Sequence, residues 1–224
     1  MIQFKQSEVE KLISTMNKSV IQGNGLPKRI KIKATNGKTY KPTKKKYFGI
    51  LNQNNLYQFN WGSKPAKVTY IGKNRTPVVM NYQDNKYQCA CASFNMAIQN
   101  FGHFINENTI AKYFNTGQYG TSPSDMIAGA KKLGYDVFAI PRNPKGVQEA
   151  KNKGYGVISH FDTIKAPTLK YLDNYGHYGY IDRITRTGKY RLYDPTKGIF
   201  SIPTDELDHA MLNRKINYYA VRPL

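Results

Sequence analysis

Cysteine, acid and long apolar runs are what this sequence is short of. Its two cysteines, Cys89 and Cys91, stand one residue apart. They cannot staple distant parts of a secreted scaffold, and they are too few for a structural zinc site by themselves. No stretch approaches the roughly 20 consecutive apolar residues of a membrane span, and the N-terminal residues lack the apolar core of a signal peptide. The chain is therefore expected to be made in the cytoplasm without a signal peptide and to carry no membrane span. Acids number 14 against 34 Lys and Arg, a formal charge of +20. Such a field favours a polyanion: nucleic acid, an anionic membrane or an acidic wall polymer. Only 8 of the basic residues are Arg, and there are 20 Asn; abundant Lys and Asn are also what an AT-rich genome produces, so the charge has a compositional reading beside the functional one.

What is present suffices for a globular protein. Of 224 residues, 40% are apolar and 13% aromatic, ample material to bury. There is no internal repeat and no low-complexity tract. The charge belongs to one region: residues 1–75 hold 16 Lys or Arg against two acids, Glu8 and Glu10, a net +14. That asymmetry predicts a domain boundary near Pro77, just before the apolar run Val78, Val79, Met80, with domains 1–76 and 77–224. In the first, Val9, Leu12, Ile13, Met16, Val20 and Ile21 recur at helical spacing, predicting a helix from Ser7 to Ile21. Ile30, Ile32 and Ala34 alternate with Arg29, Lys31 and Lys33 ahead of Asn36-Gly37, a hairpin signal. The Lys41 to Lys46 cluster reads as a solvated loop or a binding stripe. Strands around Leu56 to Trp61 and Val68 to Ile71 complete a small basic α+β domain.

The second region reads as helices first and strands later. Helices are expected from Cys89 to Phe101, from Glu107 to Phe114, and from a Ser122 cap with Pro123 in the first turn and Asp125 placed as in a capping box, ending at Gly134. Strands follow at Tyr135 to Ile140, Gly156 to Phe161, His177 to Ile184, Tyr190 to Asp194, Ile199 to Ile202 and Asn217 to Val221. A turn at Thr187-Gly188 sets His177 and Asp194 on adjacent antiparallel strands.

A nucleophilic thiol needs a base to take its proton, a group to orient that base, and donors for the oxyanion formed on attack. Cys89 opens a predicted helix, whose unpaired N–H groups and positive dipole end favour thiolate. His177 and Asp194 lie downstream on paired strands. Residues two apart on a helix are about 200° apart, so Cys89 and Cys91 cannot both face one histidine. His160, inside the strand Val157 to Phe161, is expected to be a hydrogen-bonded core histidine, and His103 and His209 surface or helix residues. No third and fourth ligand accompany the Cys89-x-Cys91 pair, so a metal is not expected.

The run from Gln83 to Phe94, with Gln83 six residues before Cys89 and Ala90-Cys91-Ala92-Ser93 after it, resembles the nucleophile motif of papain-like cysteine peptidases related to the bacteriocin-processing, double-glycine leader peptidases. Gly176-His177 matches that family's Gly-His strand, and Tyr193-Asp194-Pro195 through Gly198 its Asp-Pro turn. The resemblance covers Tyr82 to Val221. It implies Cys89 as nucleophile, His177 as general base and acid, Asp194 orienting the imidazole, and an oxyanion hole of Gln83 and the backbone N–H of Cys89. The fold implied is α+β, with N-terminal helices packed on an antiparallel sheet. Ala90 stands where the motif has Gly, and Cys91 where it has Pro.

More closely, the chain resembles the pseudomurein endoisopeptidases of viruses that lyse methanogenic archaea, which cut between an alanine carbonyl and a lysine side-chain amine. The N-terminal region, from its helix through Gly25-Leu26-Pro27, Ile30 and Ile32 to Gly37-Lys38-Thr39-Tyr40 and Tyr47-Phe48, looks like one diverged pseudomurein-binding repeat. The resemblance implies a monomeric lytic enzyme acting on the host wall after release, with an anionic wall polymer as partner, no nucleic acid, no cofactor, and a reduced thiol; stimulation by divalent cations stays open. Tyr87, Tyr178 and Tyr180 are expected to flank the lysine methylene chain or to belong to the core. Rival readings are a phage-type peptidoglycan endopeptidase, a non-catalytic wall-binding protein, and a nucleic-acid-binding protein.

Overall fold

A computed structural model describes residues 2–4, 8, 11–12, 15, 27–34, 36–43, 58–59, 78–210 and 218–224. The chain divides into two compact units, one of Met1–Val79 with Gln99–Phe104 and the other of Met80–Ile98 with Ile105–Leu224.

In the first unit, Glu8, Lys11, Leu12 and Thr15 are helical, and the rest of the helix expected from Ser7 to Ile21 lies outside the described residues. Strand β1 (Ile2–Gln3) pairs antiparallel with β4 (Gln58–Phe59), and β2 (Ile32–Lys33) pairs antiparallel with β3 (Thr39–Tyr40). Period-two alternation is realised: Ile30, Ile32 and Ala34 are buried, Lys31 and Lys33 exposed. The turn is closed by Ala34 N–H to the Lys38 carbonyl at 2.9 Å; Gly37 takes φ +81°, and Asn36 Oδ1 accepts from Lys38 N at 3.1 Å. Gln99 joins this unit through its side-chain amide, which clasps Val79 from both sides: Oε1 accepts from Val79 N at 2.7 Å and Nε2 donates to its carbonyl at 3.2 Å. The strand expected at Val68 to Ile71 and the lysines after Thr43 lie outside the described residues.

The second unit is built around helix α1 (Cys89–Ile98), all ten of whose residues are buried. It contains no charged residue, which allows it to pack on every side. Helices α2 (Glu107–Tyr113) and α3 (Pro123–Lys132) follow, capped by Asn106 and Ser122. The Ser122 hydroxyl accepts from Asp125 N and donates to the Asp125 carboxylate, an arrangement typically worth about 1 kcal/mol. Next come β5 (Tyr135–Ile140), α4 (Pro144–Asn152), β6 (Gly156–Asp162), β7 (Gly176–Ile184), β8 (Tyr190–Asp194), β9 (Gly198–Ile202), α5 (Thr204–His209) and β10 (Tyr218–Pro223). The six strands form one antiparallel sheet in the order β5-β10-β6-β7-β8-β9. Helix α1 packs on β6, β7 and β10 and against α2.

Two helices interrupt what the sequence presents as a run of strands. Between the strands expected at Tyr135 to Ile140 and Gly156 to Phe161, Asn143 caps α4 by accepting from Gly146 N at 2.8 Å, with Pro144 in its first turn and Val147 and Ala150 on the buried face. The α5 helix is only six residues long and rests on one buried apolar side chain, Leu207, too little for a periodic signal. The helix expected to reach Phe101 ends at Ile98, and Gln99–Phe101 form a 3₁₀ turn.

Gly156 is required by the closeness of α1. A Cβ there would lie 2.6 Å from the Ala97 carbonyl oxygen and 2.7 Å from the Ala97 Cβ. Gly156→Ala is therefore expected to lower the unfolding free energy by about 1–3 kcal/mol, read as a shift of the urea midpoint in circular dichroism; an unchanged midpoint would mean that α1 can draw away from β6.

Candidate active site

Cys89 is the first residue of α1, so its own N–H lies outside the intrahelical ladder, as the first four do in any helix. The preceding loop is held from α2. Glu107, in the first turn of that helix and buried, accepts from Asp84 N at 2.8 Å and from Asn81 Nδ2 at 2.9 Å. Burial pushes its carboxyl up to about 7. Gln88, next to Cys89, donates through Nε2 to Asn108 Oδ1 at 3.1 Å.

The other half of the site comes from the β7–β8 hairpin. His177 stands near the start of β7 and Asp194 ends β8, so antiparallel pairing brings them to one end of the sheet. Its turn is closed by Thr185 N donating to the Lys189 carbonyl at 2.7 Å, with Gly188 at φ +73°. His177 Nε2 lies 3.2 Å from Asp194 Oδ1, with both residues buried. Asp194 Oδ1 also accepts from the backbone N–H of Thr196 at 2.8 Å and of Lys197 at 2.9 Å. The turn that follows needs Gly198, whose φ is +106° and whose Cβ would sit 2.8 Å from the Tyr82 hydroxyl.

With Nε2 turned to the carboxylate, Nδ1 is the nitrogen left to face Cys89, whose charge acts on this imidazole. Burial alone would push the His177 pKa down; the Asp194 carboxylate and the Cys89 thiolate reverse this and lift it to about 10. Burial likewise opposes ionisation of Asp194, but the His177 charge and the hydrogen bonds from His177, Lys197 and Thr196 hold its carboxyl below the usual range. The arrangement favours an imidazolium beside the Asp194 carboxylate.

Gln83 is tied to the same turn. Its N–H donates to the Pro195 carbonyl at 3.1 Å, and its Oε1 accepts from Thr196 Oγ1 at 3.2 Å. Its Nε2 donates one proton to the Asn85 carbonyl at 2.8 Å. An amide nitrogen carries two protons, so the second can be offered elsewhere. Thus Cys89, His177 and Asp194 come together, and Gln83 is hooked to the turn that carries Asp194.

Cys91 faces away. Its thiol meets Thr116 Oγ1 at 3.3 Å, within a pair where Thr116 and Thr121 hydroxyls lie 2.7 Å apart. Burial pushes this thiol up to about 12.

Other expectations change. His160 is buried, but Nδ1 has no hydrogen-bond partner; the ring stacks on Tyr178 with centroids 4.1 Å apart, and burial lowers its pKa to about 4. Cross-strand register explains this, because His160 and Tyr178 are direct partners on β6 and β7. Tyr178 and Tyr180 are core residues that cannot wall an open slot: the first donates to the Thr121 carbonyl at 3.2 Å, and the second accepts from Lys151 Nζ at 2.9 Å. Tyr87 is half-buried beneath Lys86. His103 and His209 are exposed. Among the described residues, no three His, Cys, Asp or Glu side chains are grouped to hold a metal ion, and no helix is long and apolar enough to cross a membrane.

Tyr171 escapes the sequence reading. Its hydroxyl lies 2.8 and 2.9 Å from the two Asp194 oxygens and 3.1 Å from His177 Nε2. One of 18 tyrosines, it sits in irregular chain after a left-handed Lys170, where no periodicity marks it. Spacing of six residues ahead of His177 is the sole signal.

The peptidase C39 family is matched over residues 77–211. No curated protein sequence is matched significantly. Among solved structures, a double glycine motif protease from an AMS/PCAT transporter, in complex with the leader peptide, superposes with a TM-score of 0.50 at 16% identity, covering 69% of this chain and 97% of that one. A C39-like peptidase from Bacillus anthracis gives 0.52 at 11% identity, with 66% and 96% covered. At these identities the likeness is one of fold: α+β, papain-like, helices against an antiparallel sheet.

Two outcomes follow from the site's chemistry. Iodoacetamide on the native protein at neutral pH should alkylate Cys89 and spare Cys91, as peptide mass mapping would show; modification of Cys91 first would reverse the assignment of the two thiols. Second, the Glu107 carboxyl rises from its ordinary 4.5 to about 7 on folding, so its stabilising contribution is complete below the unfolded value and lost as pH climbs through the folded one. Unfolding free energy should fall between these values, and Glu107→Gln should flatten that fall; parallel profiles in urea titrations would exclude Glu107 as the source.

Proposed function

The chain belongs to the peptidase C39 family, and on that premise we propose that it is a lytic cysteine endoisopeptidase acting on the Ala-(ε)Lys bond of pseudomurein cross-bridges. Its cysteine-peptidase chemistry follows from the family. The observation that supports the residue roles is the buried His177 imidazole, 3.2 Å from the Asp194 carboxylate and lifted in pKa by the charges of Asp194 and Cys89.

In the proposed cycle, Cys89 Sγ attacks the alanine carbonyl carbon and the C=O electron pair moves to oxygen. The oxyanion accepts from Cys89 N–H and from the second Gln83 Nε2 proton. Collapse breaks the C–N bond, and the His177 proton goes to the departing lysine amine. A water then gives its proton to His177 and its oxygen to the acyl carbon, freeing the carboxylate and the thiolate. A lysine side-chain amine leaves about as well as a backbone amine, so preference for the isopeptide must come from the walls of the cleft. Tyr175, 41% exposed and edge-on to His177 at 6.0 Å between ring centroids, supplies an aromatic surface beside the site where a methylene chain can lie.

Support for the substrate comes from the sequence resemblance to pseudomurein endoisopeptidases and from the +14 carried by residues 1–75, read as a wall-binding domain 1–76 ahead of a peptidase domain 77–224. Pseudomurein carries uronic acid and peptide acids, which a cationic region attracts over about a Debye length of 8–10 Å. The protein would act as a monomer on the host wall after release.

Purified pseudomurein and bacterial peptidoglycan, digested separately and examined for new termini by mass spectrometry, separate this reading from a phage-type peptidoglycan enzyme. Cys89→Ala and His177→Ala should abolish cleavage, Asp194→Ala should leave a trace, and Gln83→Ala should lower kcat by about 10²-fold with little change in binding. Alanyl-ε-lysine should be cut in preference to its α-linked isomer; equal rates would remove the isopeptide claim. Wall binding should weaken as salt rises, and salt-independent binding would remove the electrostatic role of the basic region.

A further inference from the structure

Tyr171 lies on a segment anchored from two sides. Thr163 Oγ1 donates to the Asp173 carbonyl at 2.5 Å and accepts from Tyr175 N at 3.1 Å. Glu206 on α5 accepts from Thr168 N at 2.7 Å and Thr168 Oγ1 at 2.6 Å. Between these anchors Leu172 is 94% exposed while Tyr171 turns inward, so the side chain is directed at the carboxylate instead of following the loop outward. Lys197 Nζ sits 4.8 Å from the centre of its ring and donates to the Lys170 carbonyl at 3.2 Å. A cation over a phenol ring withdraws electron density and strengthens the hydroxyl as a donor.

Resting on the triad read above, we propose that Tyr171 is a positioning residue for the peptidase: its hydroxyl donates to Asp194 and stands beside Nε2, limiting the swing of the His177 ring and setting how much of the carboxylate charge reaches the imidazolium. Burial, and then the Asp194 charge, raise the Tyr171 pKa, so the phenol remains a donor throughout the working range. The charged and titratable groups facing His177 are Asp194 from β8, Cys89 from α1, His160 from β6, and Tyr171 and Tyr175 from this segment, with Lys197 behind the Tyr171 ring. Removing the phenol oxygen takes a donor from Asp194, returns that share of negative charge to the imidazolium, and lets the ring move.

The test needs no substrate. Iodoacetate, an anion, alkylates a thiolate faster relative to iodoacetamide while an imidazolium stands beside it, and loses that preference when the imidazolium deprotonates. In the whole 224-residue chain, alkylation of Cys89 by each reagent is followed by mass spectrometry across pH. Tyr171→Phe should move the pH at which the iodoacetate preference disappears upward by about one unit, with the ring volume retained. A midpoint that stays or moves down overturns the proposal. Should that variant not fold, Lys197→Met carries the test by stripping the cation from the ring face; a smaller upward shift is expected, and an unmoved midpoint again overturns it. No iodoacetate preference at any pH in the unaltered protein would remove the thiolate–imidazolium pair itself, and the Tyr171 role with it.

Discussion

A carboxylate wholly withdrawn from water must be compensated by hydrogen bonds and an opposite charge, or it protonates. Asp194, 0% exposed, meets this demand with two backbone N–H groups from its own turn, the Tyr171 hydroxyl and the His177 imidazole. Much of the surrounding structure serves that set of contacts. The Asp-Pro turn supplies the N–H groups because Gly198 can take φ +106°. The hairpin between β7 and β8 delivers His177 to the same end of the sheet. Gln83 is fastened to the turn through Pro195 and Thr196, so the carboxylate beside the histidine and the loop ahead of Cys89 share one support.

Helix α1 supplies the thiol under a second constraint. Packed on β6, β7, β10 and α2, it tolerates only small or apolar neighbours, and Gly156 opposite Ala97 shows how close that approach is. A helix fixed this firmly cannot rotate to exchange one thiol for the other. Cys89 meets His177, while Cys91 is kept in a threonine pocket where burial opposes ionisation. The different surroundings of two cysteines one residue apart are thus a consequence of helix geometry and packing.

Charge is distributed differently from chemistry. The basic excess lies in residues 1–75, whereas Cys89, His177 and Asp194 lie within a unit beginning at Met80. Attraction to an acidic polymer falls off over about a Debye length and demands little geometry; bond cleavage demands atoms within hydrogen-bond reach. One polypeptide can meet both demands in separate regions because they operate over such different distances.

The motif from Gln83 to Ser93, the Gly-His strand and the Asp-Pro turn were legible in the sequence, because backbone requirements at a helix start, a hairpin and a tight turn impose local residue patterns. The same holds for the Ser122-Pro123-Asp125 cap and for the alternation of Ile30, Ile32 and Ala34. Helix α4 was missed because Asn143-Pro144 signals a turn as readily as a helix start, and the hydrogen bond from Gly146 that distinguishes them is not written in composition. The buried fate of Tyr178 and Tyr180 follows from which strands flank β7, and the unpartnered His160 nitrogen from its register against Tyr178. Tyr171 shows the division most clearly: its residue type is stated by the sequence, but its contact with Asp194, 23 residues further along, exists only once two anchors and a sheet have closed the chain on itself. Short-range stereochemistry makes a local motif visible in one dimension, whereas the partner of a buried hydroxyl is chosen by packing across the whole unit.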